Sequence, residues 1–135
     1  MKLDLALVAD CANITHEGKL NVMGIFQQIN SFNFPARHSL MHLVLVLQPE
    51  LGESGERDLT IVLLNPNGKQ IFGLTRKFIT PEVSPGPRSK INIIVDLHDV
   101  TFLEPGPHNF AILIDKDHKG EIPIYVNKIE HPATE

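Results

Sequence analysis

The sequence predicts an all-β protein: one domain over residues 1–135, built as an antiparallel β-sandwich of about eight strands, immunoglobulin-like or C2-like in layout. Three observations carry this expectation. Apolar runs rich in β-branched residues recur at near-regular spacing. Clusters of Gly, Pro, Asn and Asp separate them. Helical periodicity is nowhere sustained over ten or more residues.

The first run, Leu3–Ala12, alternates with Leu3, Leu5, Leu7, Ala9 and Cys11 on one face. Its apolar start could pass for a secretion signal. However, Asp4 and Asp10 confine the uncharged stretch to Leu5–Ala9, too short for a signal's apolar core. After the turn Thr15-His16-Glu17-Gly18, Leu20–Ile29 reads as a second strand. The next two runs, Leu40–Leu47 within His38–Gln48 and Leu59–Leu64, are apolar on both faces. Val44 and Val46 alternate with Leu43, Leu45 and Leu47, and Ile61 and Leu63 with Val62 and Leu64. A strand of that kind is covered on both faces, so a long loop or another subunit is expected over it.

Asn65-Pro66-Asn67-Gly68 has proline where φ is pre-set and glycine where a positive φ is needed, which predicts a tight hairpin. The strand it leads into, Ile71–Ile79, contains Arg76 and Lys77, and the final strand, Ile122–Val126, contains Pro123. Charge and proline both suit sheet edges. Between these two lie Ile91–Leu97 and, beyond the corner Glu104-Pro105-Gly106-Pro107, Phe110–Ile114 with Phe110, Ile112 and Ile114 inward. A hairpin through Asp115–Gly120 then returns the chain.

Composition narrows the function classes. A length of 135 residues suffices for a proper core, and 42 % hydrophobic residues is a globular proportion. A net charge of −4, no Lys/Arg run, no Trp and a single Tyr argue against nucleic acid as a partner. No stretch is long enough to cross a membrane as a helix. The lone Cys11 has no partner for an internal disulfide, which suits a reducing, cytoplasmic setting.

Several motifs taken in order also resemble a known group. Ala9-Asp10-Cys11-Ala12, Gly18-Lys19-Leu20, Met23-Gly24-Ile25-Phe26 and Phe34-Pro35-Ala36 resemble the opening of an uncharacterised prokaryotic domain-of-unknown-function family of small stand-alone proteins. Asn65-Pro66-Asn67-Gly68 and the stretch from Glu104-Pro105-Gly106 to Asp115 match its second half. The resemblance implies a β-sandwich and carries no activity, ligand or residue role.

Candidate chemistry is sparse. His38 and His42 have a metal-ligand spacing on a helix, but in a strand they stand about 13 Å apart, too far to share one ion. Asp96 and His98 lie two apart on one strand face and could orient an imidazole as a base, yet no Ser or Cys is placed as its nucleophile. Asp115–Glu121 superficially matches a calcium loop. Lys119 stands where a fifth-position oxygen is needed and Val126 where the closing glutamate belongs, so it reads as a turn. The glycines fit no phosphate-loop frame.

If successive strands alternate in direction, the turns around His16-Glu17, Glu50–Glu56, Glu82 and Asp115–Glu121 gather at one acidic end. Arg37-His38, Asn65–Lys69, His98-Asp99, Glu104, His108 and His131 then gather at a histidine-rich one. No catalytic, cofactor or metal residue is assigned. The expectation is a non-enzymatic binding or assembly module that needs no cofactor and associates with a protein partner or with itself as a homo-oligomer. Face packing at Val44 and Leu45 or strand addition at an edge would serve. The alternative is a divalent-cation or small-ligand module using loops at one end, through residues such as Asp117 or His38.

Overall fold

The computed structural model describes residues 1–82 and 90–130. The described chain is all β, with nine strands in order: β1 (Lys2–Ile14), β2 (Leu20–Phe26), β3 (Gln28–Ser31), β4 (Ala36–Gln48), β5 (Gly55–Leu64), β6 (Gln70–Thr80), β7 (Ile91–Phe102), β8 (Gly106–Ile114) and β9 (Asp117–Lys128). They form a four-stranded sheet of order β2-β1-β4-β7, here sheet A, and a five-stranded sheet of order β3-β9-β8-β5-β6, sheet B. All pairings are antiparallel except β3 with β9, which is parallel.

The expected run Leu20–Ile29 is two strands. β2 ends at Phe26 beside β1, and one residue later β3 joins the other sheet, where the Tyr125 N–H donates to Gln27 O at 2.8 Å. The expected edge assignments divide. β6, with Arg76 and Lys77, does end sheet B. β9 does not, because β3 covers it from Tyr125 to Lys128. The proline has a position that suits it. Residue 123 has the same parity as Tyr125, whose N–H points towards β3, so the missing N–H of Pro123 faces the stretch of β9 that β3 leaves open.

One core lies between the two sheets. Met41, Leu43, Leu45 and Leu47 from β4 and Val95 and Leu97 from β7 meet Leu59, Ile61 and Leu63 from β5, Phe110 and Ile112 from β8, and Ile124 from β9. At about 1.5–3 kcal/mol per fully buried large aliphatic side chain, these alternate positions dominate the stabilisation of the fold. The turns follow their chemistry. Asn65 Oδ1 accepts the N–H groups of Asn67 (3.0 Å) and Lys69 (2.9 Å), and Gly68 takes φ +79°. Asp115 and Lys116 both have positive φ (49° and 72°), the signature of a two-residue type I′ hairpin, so β9 begins earlier than the broad Asp115–Gly120 turn expected.

A folded-back arm as the candidate binding surface

β1 and β2 do not stay in the plane of sheet A. β1 pairs with β4 only as far as Ala9, opposite His42, while the β1–β2 pairing continues to Ile14 and Leu20. Near the point of departure Gly24 adopts φ +72°, and a Cβ there would stand 2.6 Å from Asp10 Oδ2, so this crossing of the hairpin favours glycine.

Beyond it the hairpin turns back over the outward face of sheet A. The Ala12 N–H donates to His42 Nδ1 at 2.7 Å, and Asn92 Nδ2 donates to Gly18 O at 3.4 Å. Asn92 is opposite Val46 in the register of β4 with β7, so between Ala12 and Gly18 the arm runs back from the level of His42 to that of Val46. His42 Nε2 lies 3.2 Å from Asp96 Oδ1, on the neighbouring strand. Because Nδ1 accepts a backbone N–H, the ring proton belongs on Nε2, directed at the Asp96 carboxylate.

The fold-back explains the doubly apolar strand. Val44 points away from the core yet is 0 % exposed, and Ala9 and Ala12 are also buried. None of the three belongs to the main core; they form a thin second layer between arm and sheet. The cover over β4 is thus the chain's own hairpin rather than another subunit. Leu45 faces the core and is unavailable to a partner. The outward residues of β5, Val62 and Leu64, stay half-buried.

Four strands end the two sheets, and three of them carry the protections usual for edges. β3 is four residues long. β6 presents Lys77, which bonds Asp58 (3.1 Å) and is thereby held above the ordinary lysine range. The guanidinium of Arg76 reaches across to Ile94 O (3.4 Å), so a charge sits on the edge of β7. β2 differs. Leu20–Phe26 contains no charged residue, and it exposes Met23 (69 %) and Ile25 (57 %). Sequence reasoning placed a strand here, within Leu20–Ile29, but not its bare edge, although an isolated glycine within a strand pattern is a signal of a bend.

The other residues singled out from the sequence are dispersed. Asp96 faces His42, not His98. The His38 ring packs on Phe26 with centroids 5.4 Å apart. Buried His108 lies edge-on to Phe102 (5.1 Å), with Nδ1 2.9 Å from Gly106 O and Nε2 without a hydrogen-bond partner. His131 lies outside the described residues. Of the acidic loop residues, Glu53 Oε2 accepts from the Met1 ammonium (2.6 Å) and Asp115 accepts from the Asp58 N–H (3.0 Å) and from Arg57 (2.9 Å). The Asp58 N–H, then the Arg57 guanidinium, hold the Asp115 carboxyl below its usual range. Among the described residues, no three His, Cys, Asp or Glu side chains converge as a metal site would require. A shallow hollow of about 250 Å³ lies on the outward side of sheet B, lined by Gln27, Pro107, Asn109, Pro123 and Tyr125.

Comparison with known proteins adds a family and no activity. The model of a family of unknown function (DUF6941) matches residues 4–127. No curated protein matches the chain. Among solved structures, the chain is similar to Pseudomonas fluorescens alkylpurine DNA glycosylase AlkC bound to DNA containing an abasic site analog, at 13% sequence identity and a TM-score of 0.45. That likeness covers 90% of this chain and only 30% of the glycosylase chain, and at this score it bears on neither fold nor function.

Proposed function

This chain belongs to the family of unknown function DUF6941, and we propose that it is a non-catalytic binding or assembly module that pairs with protein through the free edge of β2. The observation that carries this reading is the contrast among the four sheet edges. Three are short or charged, whereas β2 offers an uncharged run with Met23 and Ile25 exposed. An extended segment laid against it would gain main-chain hydrogen bonds and bury both side chains. Self-association into a homo-oligomer is the simplest form, since β2 is itself a segment of that chemistry. A lone cysteine suits a cytoplasmic setting.

The finer architecture we infer is an immunoglobulin-like sandwich. What supports it is strand order. β5, β8 and β9 neighbour one another as C, F and G do in that fold, and β1, β4 and β7 as A, B and E do. β6 then extends the first sheet beyond C. On this reading β2 is an addition between the first strand and the rest, which sets the arm apart from the common frame.

The test is the mass of the protein in solution, by light scattering and native mass spectrometry, for the wild type and a Met23→Lys, Ile25→Lys double variant. Both positions are exposed, so the variant is expected to fold. Loss of a wild-type oligomer or of a bound protein on substitution supports the reading. A wild type that is monomeric and carries no protein, or an assembly indifferent to both lysines, overturns it.

A further inference from the structure

We propose that the β1–β2 arm is an exchangeable element, and that its second seat is the outward face of sheet A in another copy of this chain. The inference rests on the assembly reading above and names the partner and the manner of contact. It uses the inner side of the arm rather than the β2 edge.

Four features of the arm support exchange. It is self-contained: the pairs from Cys11↔Met23 to Ile14↔Leu20 lie wholly within the hairpin, so it keeps its own ladder when lifted. It is dispensable to the main core, because no residue between Val8 and Phe26 belongs to the cluster among the described residues. It is joined through one sharp crossing at Asp10 and Gly24, where φ is +72° and a Cβ would crowd the Asp10 side chain. And its seat is already specific: His42 Nδ1 receives the Ala12 N–H, Asn92 Nδ2 reaches Gly18 O, and Val44 and Ala9 lie buried beneath.

Lifting the arm uncovers Val44 and Ala9 and leaves the Ala12 N–H without its acceptor. A second copy with its own arm lifted offers the same seat, and each arm laid on the other chain restores every one of those contacts. The exchanged pair therefore needs no new complementary surface. It differs from two closed monomers chiefly in the conformation at residues 10 and 24 and in the entropy of association, and it closes as a two-fold dimer in which each arm crosses to its neighbour. The occupant best matched to this seat is the arm that already fits it.

The hinge supplies the experiment. Alanine at position 24 is strained at positive φ and meets Asp10, which penalises the closed turn and not an opened one. Gly24→Ala is expected to raise the dimer association constant roughly fivefold or more over wild type, read by light scattering across a concentration series. The wild-type chain refolded at high and at low concentration gives the same reading without a substitution, with more dimer after concentrated refolding.

The arm is then located in the isolated dimer. A Cys11→Ser, Lys19→Cys, Lys90→Cys chain, which keeps the Ala12–His42 and Gly18–Asn92 contacts, is treated with a bis-maleimide and analysed under denaturing conditions. The closed monomer, which links 19 to 90 internally, is the control. Exchange gives two chains joined by the 19–90 link. A dimer linked only within each chain overturns exchange but leaves the β2-edge reading standing, and the two lysines at 23 and 25 should then dissolve it. A protein that stays monomeric in the hinge variant and after concentrated refolding overturns exchange, and the wild-type mass measured alone decides the edge reading.

Discussion

The Ala12 backbone N–H and the His42 imidazole, thirty positions apart in sequence, meet at 2.7 Å and hold a hairpin against the back of the sheet from which it springs. The same ring turns its other nitrogen to Asp96 at 3.2 Å. One side chain therefore serves three strands: β4, which carries it, β1, whose amide it accepts, and β7, whose carboxylate it addresses.

His42→Leu removes the acceptor and leaves the part-buried Ala12 N–H unpaired. The expected cost is about 1–3 kcal/mol in urea unfolding, with faster exchange of the Ala12 amide. Asp96→Asn should cost less, because that carboxylate is more than half exposed.

Val44→Ala and Val62→Ala compare two outward-facing valines on central strands. Val44 is fully covered and Val62 only partly. Truncation at 44 should cost about 1–3 kcal/mol and clearly more than truncation at 62, by chemical denaturation. Val44→Lys should unseat the arm, seen as protease cleavage within residues 10–24.

Asp115 governs part of the acid response. Its carboxyl lies below the usual value of 3.8 because the Asp58 N–H and Arg57 favour the charged form. A lowered pKa contributes stability that is complete above the unfolded value and fades as pH falls through the folded one. Asp115→Asn should therefore lower the melting temperature slightly at neutral pH and converge with wild type at the acid end. Melting curves taken from neutral to strongly acidic pH check both limits.

His108→Phe should be nearly neutral, within about 1 kcal/mol. It forfeits the bond to Gly106 O but removes a buried Nε2 that has no partner, and it keeps an aromatic ring against Phe102. A loss of several kcal/mol in urea unfolding would show that the Gly106 contact fixes the corner before β8.

Much of this architecture is legible in the chain, because alternation is a local property. The runs at Leu40–Leu47, Leu59–Leu64 and Phe110–Ile114 declare both strand and inward face, and Asn65-Pro66-Asn67-Gly68 declares its turn. The double apolarity of Val44 and Leu45 correctly announces a cover but not its identity, since a folded-back hairpin and a partner subunit make the same demand on β4. The pairing of Asp96 with His42 instead of nearby His98 depends on cross-strand register, which no single segment carries. The break at Gln27 is equally silent, because β3 is set apart from β2 by its pairing with β9, far along the chain, whereas β2 stays with its hairpin neighbour β1.

The parallel pairing of β3 with β9 has a consequence for the order in which the chain assembles. Asn30 and Asn127, which bond at 3.1 Å, are 97 positions apart. During synthesis β3 is therefore made early and stays unmatched until nearly all the rest has followed. β5, β6 and β8 find their neighbours sooner, while β3 and the far half of β9 wait for one another, a long loop to close for only four residue pairs. Sheet B thus closes its β3 side last, and a ribosome-bound chain that ends before Tyr125 carries Gln28–Ser31 as an open strand end, free for whatever meets it first.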